Sequence, residues 1–576
     1  MSKAVSYAQW FLEPYCIGLK LCSLRNSKRL TLSRLALETS LSTALLSKLE
    51  TDRMIPTLPT LAAIARFHGV GMDYFFSEPA HHRLSITRKA LTRPRQSPRP
   101  IPSPCPSGSE GKFRFVAHRA SLYYGEELQG QITMRPNAKL IKTTLTGALG
   151  GLIFGFDIAV VSGIIDLVVQ HFGLSGFGKG LTVAVGPVGT VIGCFAGGVL
   201  GQRLGSRLAL RYAAAAYCLA AAGTAFAAGW SMLLAMRFLS GLGLGAASVL
   251  GPVYITELAP AQWRGRLVGS FQINVVTGIL LGYTSNYLVG LAHLGPLEWR
   301  VMVGIAALPA LLFFILLFTI PHSPRWSASR NQIDEALFVL GQMGAPDPKA
   351  ELAEIQSALQ AEHATAHEPV FQWKYRYPLF LAITIGAFNQ LAGINCIFYY
   401  MHSIFAAGGF GSESGYVQSI VVGATNWIFT LVGMAMIDHF GRKSLLIVGA
   451  IGTAGCLGGV AWVFNSHSHQ SALLALLMLF VAFFSLSQGS VIWVYIGEVF
   501  PTAVRSKGQG VGSASHWIMN TIIALSFPIL VHRFNEGTPF AFFAAATVVQ
   551  LIVVTLFYPE TKGQTLEQLQ RKLMRA

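Results

Sequence analysis

GGLIFGFDIAVVSG, residues 150–163, sets a single carboxylate, Asp157, in the middle of an apolar run. Leu140 to Phe156 before it and Ile158 to Val169 after it are mostly apolar, so Asp157 lies well inside a segment long enough to cross a bilayer. An acidic side chain at the centre of a membrane helix costs about 2.5–3.5 kcal/mol on insertion scales, which marks it as a functional residue. The remainder of the chain suits a membrane setting: 52% of residues are hydrophobic and only 12% charged, a balance foreign to ordinary soluble domains.

Outward from that stretch, apolar runs of about 20 residues recur at 143–168, 178–200, 208–228, 231–254, 266–289 and 300–320, then at 378–407, 416–437, 444–464, 471–497, 508–531 and 539–558. This predicts an all-α protein with twelve transmembrane helices. Arg203, Arg207, Arg211, Arg264, Arg266, Arg325, Arg330, Lys374, Arg376, Arg442, Lys443, Arg505, Lys507, Lys562, Arg571 and Lys572 fall on one side of these spans. The other side holds only Lys179, Arg300 and Arg533. Cytoplasmic loops collect basic residues, so both termini are expected in the cytoplasm of a cell inner (plasma) membrane protein. Met1 to Tyr15 has no apolar core followed by a cleavage site, so the first span is expected to direct insertion.

The chain repeats itself. YITELAPAQWRGR at 254–266 returns as YIGEVFPTAVRSK at 495–507, and GQRLGSR at 201–207 is echoed by IDHFGRK at 437–443. Two six-helix halves are expected, at 140–320 and 378–558, joined by a polar, helix-prone linker at 321–377 and followed by a tail at 559–576. On the seventh span Gln390, Asn395 and Tyr399 flank Gly393 at a spacing that suits a helix broken at the glycine.

FGFDIAVVSG, RFLSGLGLGAASVLGPVYITELAPAQWRGRLVGSFQ, PHSPRW, NQLAGINCIFYY, DHFGRK, GEVFPTAVRSK and PETKGQTLEQ together resemble the sugar porter branch of the major facilitator superfamily over about residues 140–570. Within it the pattern is most similar to bacterial xylose:proton symporters, because Asp157 stands where passive glucose carriers have an amide. The resemblance implies alternating-access transport of a pentose or hexose, with a proton as coupling ion and no other cofactor. It implies that Arg237 partners Asp157 in proton coupling. Amides exchange hydrogen bonds with sugar hydroxyls and aromatic faces take the C–H side of the ring. Gln390, Asn395 and Tyr399 then become sugar contacts, and the resemblance adds Gln272, Asn389, Asn426, Trp493, His516, Trp517 and Asn520. It also implies a cytoplasmic gate of ion pairs drawn from Arg203, Arg207, Glu257, Arg264, Asp438, Arg442, Glu498 and Arg505.

Departures from the family pattern bear on which sugar is carried and on the gate. Asn389 replaces the first of two glutamines, His516 and Ile279 replace glutamines, and Ser490 replaces a helix-bending proline. In the gate, Gln202 replaces an acid, Ser206 an arginine and His322 a glutamate, so a weaker network is expected in the first half.

Residues 1–139 differ in kind, with 20 Lys and Arg against 9 Asp and Glu. Residues 1–78 read as short soluble helices: Thr31 caps one, Ser42 to Glu50 forms the next, and Pro59 and Thr60 start a third. This part resembles the lambda-repressor-like helix-turn-helix family, which implies Ser42, Thr43, Ala44 and Lys48 at base edges and Arg25, Arg34 and Arg53 near phosphates. Residues 79–139, with six prolines between Pro94 and Pro106, read as an extended basic linker. No nucleophile–base triad, phosphate loop or His/Cys metal cluster is legible, so neither an enzyme nor a metal site is expected. Two other readings stay open: a membrane-tethered, sugar-responsive DNA-binding regulator, and a passive sugar or polyol facilitator.

Overall fold

In the computed structural model the described residues are 17–28, 30–39, 41–50, 58–68, 70, 75, 137–260, 263–365, 368–501, 504–562 and 573. The chain divides into two compact units, residues 1–117 and 118–576. All regular structure among the described residues is helical.

The first unit holds α1 (Ile17–Ser27), α2 (Leu32–Thr39), α3 (Thr43–Glu50) and α4 (Leu58–His68). Two of these helices start on side-chain caps. Thr31 Oγ1 accepts from Arg34 N at 3.3 Å and Ser42 Oγ accepts from Leu45 N at 3.2 Å, each satisfying an amide that helix geometry leaves unpaired. Leu21, Leu35, Leu46, Leu49, Leu61, Ile64 and Phe75 form the core. Arg25 is spent inside this fold: it pairs with Glu50 at 2.7 Å and donates to Leu30 O at 2.8 Å. That internal pairing competes with the phosphate contact implied for it. Arg34, Ser42, Thr43 and Lys48 are exposed, whereas Arg53 and the side chain of Ala44 lie outside the described residues.

Among the described residues of the second unit, twelve helices are long and apolar enough to cross a membrane. Six belong to the first half: Ala138–Phe172, Gly176–Leu204, Ser206–Ala225, Trp230–Leu258, Arg264–Gly290 and Gly295–Leu316. Six belong to the second: Trp373–Tyr399, Glu413–Ile437, Arg442–Ser466, Ala472–Val499, Lys507–Arg533 and Thr538–Phe557. They are numbered one to twelve below. Three helices, Pro324–Ser329, Ile333–Met343 and Pro348–Thr365, connect the halves. Large apolar side chains such as Phe195, Leu219, Leu308 and Leu556 point outward and are exposed, as expected where hydrocarbon is the solvent.

Small residues bring spans together where hydrocarbon gives no hydrophobic drive. Gly189, Gly193 and Gly197 of span two meet the Gly241 and Gly245 region of span four so closely that added Cβ atoms would strike opposing backbone or side chains at 3.0 Å or less. That contact fixes the level of Arg237, one turn before Gly241 on span four.

Span seven breaks where expected. Gly393 has φ +82°, in the left-handed region, and separates helix Arg376–Leu391 from helix Ile394–Tyr399. A Cβ there would lie 2.4 Å from the ring of Phe543. Gly393→Ala is therefore expected to cost about 1–2 kcal/mol in backbone strain and a further ~1–3 kcal/mol in overpacking. Thermal unfolding of the purified protein reads this as a drop of several degrees; an unchanged midpoint would rule out the strain argument.

Candidate functional site

Asp157 and Arg237 meet inside the first half. Arg237 Nη1 donates to Asp157 Oδ1 at 2.9 Å and to Oδ2 at 3.1 Å, with the two side chains only 14% and 6% exposed. A residue outside the sequence expectation completes the group: the Tyr217 hydroxyl of span three donates to Asp157 Oδ1 at 3.1 Å. A tyrosine in an otherwise alanine-rich span, RYAAAAYCLAAAG, is the signal that points to it. Gly186 of span two keeps the space open, since a Cβ there would come within 3.2 Å of Arg237 Nη2. Three spans thus supply a buried carboxylate with two donors, a charge the low dielectric tolerates only when paired.

Amides and rings gather in the second half. Gln390 Nε2 donates to Asn389 Oδ1 at 3.0 Å and lies 3.1 Å from His516 Nε2, while Asn520 Nδ2 donates to Gln390 Oε1 at 3.0 Å. All four residues are buried. Asn520 Oδ1 is buried with no hydrogen-bond partner, an acceptor left open at the cluster. His516 is flanked by Trp493 (5.3 Å between centroids) and Trp517 (4.8 Å). Trp517 also packs edge-on against Phe154 at 5.3 Å, three residues before Asp157. That aromatic contact joins the amide cluster to the acid across the two halves.

The other expected contacts are placed differently. Tyr399 is buried on the segment after the Gly393 break. Asn395 on that segment and Gln272 on span five are half-buried, and neither side chain hydrogen-bonds to another described residue. Asn426 is tied to span ten, accepting from Ser485 Oγ at 2.8 Å.

The basic ends of the spans carry a two-fold repeated design. Tyr254 OH donates to Pro321 O at 2.7 Å, and its repeat mate Tyr495 OH donates to Pro559 O at 3.2 Å. Gly205 and Gly441 both adopt φ +84° just before spans three and nine. The residue after each glycine then differs. In the second half Arg442 pairs with Glu498 at 3.0 Å. In the first half Ser206 donates to Glu257 at 3.3 Å in the matching place, a hydroxyl where the other half has a guanidinium. Glu560, absent from the sequence expectation, accepts from the Arg442 and Lys443 amides at 2.9 and 3.0 Å and so caps span nine. His322, its mate after Pro321, instead stacks on Trp326 at 5.0 Å. Arg207 donates to Ile320 O at 2.9 Å and Arg505 to Phe500 O at 3.4 Å. Arg203 and Arg264 are exposed, and the side chain of Asp438 lies outside the described residues.

Burial pushes the Glu560 carboxyl up, but backbone amides of Lys562, Arg442, Lys443 and Thr561 outweigh it and hold it below the usual glutamate range. Its contribution to stability is then full above the unfolded value near 4.3 and is lost as pH falls through the lower folded value. The melting temperature of Glu560→Gln is expected to lie below wild type at pH 7, with the gap closing under acid. A gap that widens on acidification would refute the capping role.

Twelve spans in two related halves, a broken seventh helix and a central cluster of amides, rings and one charge pair define a polytopic carrier with a mid-membrane polar site. Residues 143–573 match the family model described as "Sugar (and other) transporter", and residues 23–75 match a helix-turn-helix family model. The chain is 33% identical to the arabinose-proton symporter of Bacillus subtilis (strain 168) over 442 residues, covering 75% of this chain and 94% of the relative. It is 32% identical over 474 residues to the glucose facilitated diffusion protein of Zymomonas mobilis subsp. mobilis (strain ATCC 31821 / ZM4 / CP4), covering 77% of this chain and 98% of that one. Its fold is similar to the solved structure of the proton:xylose symporter XylE bound to 6-bromo-6-deoxy-D-glucose, with 32% identity, TM-score 0.66, and coverage of 76% and 99%. The chain belongs to the sugar transporter family.

Proposed function

We propose that the protein moves a monosaccharide across the membrane by alternating access, together with a proton carried on Asp157. The observation that supports this best is the buried Asp157–Arg237–Tyr217 group beside the Gln390 cluster. Sugar hydroxyls exchange hydrogen bonds with Asn389, Gln390, Asn395, Tyr399, His516 and Asn520, and Trp493 and Trp517 cover the C–H face. Gln272 from span five and Asn426 from span eight close the site as the halves rock. When Asp157 is ionised it holds Arg237; a proton neutralises it and releases Arg237, so the two arrangements differ in energy and the halves shift between them. Arg442–Glu498 and the Glu257 and Arg505 region act as the gate at the basic ends, with both termini in the cytoplasm.

The deciding measurement is uptake of labelled D-xylose, L-arabinose and D-glucose into transporter-deficient cells, with and without a protonophore. Accumulation that collapses with protonophore supports symport. Equilibration that ignores it makes the protein a facilitator, and no uptake of any sugar removes the monosaccharide reading.

The match of residues 23–75 to the helix-turn-helix family supports a second role, DNA binding by the exposed cap Ser42 and the exposed Thr43 and Lys48 of α3, with Ala44. Retention of the full-length protein on duplex DNA is then expected to fall steeply with salt as phosphate counterions are released. Binding that ignores salt, or none at 50 mM, would count against a DNA partner.

A further inference from the structure

A cavity of about 530 Å³ opens at the ends of the spans away from the arginine-rich loops. It lies beside the turn between spans one and two, at Leu174 and Gly176, and the turn between spans eleven and twelve, at Glu536. The size falls in the ordinary range for small-molecule sites, about 300–1,000 Å³. None of the residues of the Gln390 cluster or the Asp157 group lines it.

Its walls combine apolar side chains with charged and hydroxyl groups. Tyr400 and Phe527, both in the lining, stack on each other 5.1 Å apart at 15°, and their other faces are covered by the Lys179 ammonium and the Phe543 ring. Opposite chemistry comes from Asp166, Lys179 and Ser403, with His532 and Glu536 also in the lining. Two carboxylates against one ammonium disfavour an anion, and the hydroxyl, carboxylate and ammonium groups of the lining favour a neutral polyhydroxylated ligand. We infer that this cavity is a second, outer monosaccharide site, which the sugar occupies before it reaches the Gln390 cluster. The choice of ligand rests on the transport reading above.

The same polar groups also hold the halves together. Ser403 of the second half donates to Asp166 Oδ2 at 2.6 Å, and Lys179 donates to Ser403 Oγ at 3.1 Å and to Asp166 Oδ1 at 2.6 Å. One residue earlier, His402 N donates to Ser162 Oγ at 3.0 Å. A sugar hydroxyl binding Asp166 or Ser403 competes for the bonds that close this face, so occupancy of the outer site favours its opening.

Saturation-transfer NMR on the full-length protein in nanodiscs, with D-xylose, L-arabinose and D-glucose as probes, tests the assignment. Gln390→Ala weakens the central site about tenfold or more, so at a sugar concentration near the wild-type affinity that site is largely empty, and Val531→Trp or Ala407→Trp, each added to it, fills the outer cavity, since both positions line it. The expected result is transfer to at least one sugar in Gln390→Ala and loss of that transfer in both filled double variants. Loss in Gln390→Ala alone, with a wild-type signal present, overturns the outer site and leaves the transport reading standing. Transfer that survives both tryptophans overturns it as well. No signal from wild type with any of the sugars overturns both readings together.

Discussion

Asp157→Asn is expected to abolish proton-driven accumulation while leaving sugar binding and exchange in place. The amide cannot take up or release a proton, yet it keeps an oxygen that accepts from Arg237 and Tyr217, the two donors that hold Asp157 now. What is lost is the charge. Removing one partner of a buried ion pair typically costs about 3–5 kcal/mol because the other charge stays uncompensated. Here the retained hydrogen bonds offset part of that cost. The expected readout is an inside-to-outside sugar ratio that falls to unity in energised cells, with counterflow in vesicles near the wild-type rate. If calorimetry finds that the variant binds no sugar, Asp157 is a substrate ligand and the coupling role assigned to it fails.

Gln390→Ala carries the second large effect. Gln390 is the hub of the amide cluster, bonded to Asn389, His516 and Asn520 and buried to 2% exposure. On the proposed reading its loss removes a sugar contact, so a sugar hydroxyl enters the buried site without its partner. Each unsatisfied buried group costs about 1–3 kcal/mol. One sugar hydroxyl so left, at 1.4 kcal/mol per tenfold, means an affinity weaker by about tenfold or more, and two bring about a hundredfold. Gln390→Asn, which keeps the amide but shortens the arm, is expected to fall between. Titration calorimetry with the transported sugar measures both; an alanine variant with wild-type affinity would place the sugar elsewhere.

Much of the architecture was legible in the chain. Hydrocarbon demands about 20 apolar residues per span, so twelve runs became twelve helices, and the displaced YITELAP and YIGEVFP segments announced the two halves. The break at Gly393 was legible too, because a left-handed residue in a span leaves glycine as the natural choice. Asp157 announced itself by cost alone.

Other parts depended on partners distant in sequence. Tyr217 became a ligand of Asp157 only through the packing of spans one, three and four, and Glu560 a cap of span nine only because the chain end returns to it. Arg25, a basic residue in a basic region, turned inward to Glu50. The imbalance between Ser206–Glu257 and Arg442–Glu498 was visible as a substitution, but its meaning required the matched glycine and tyrosine geometry of the two halves.

From the sequence alone came whatever a single residue's transfer energy or a local backbone preference determines: spans, repeat, helix break and the buried acid. Tertiary structure alone decided which donors surround that acid, which amides meet at Gln390 and where the outer cavity opens. Hydrogen bonds act over about 3 Å, and no periodicity along a chain specifies which residues 60 or 130 positions apart come within that reach.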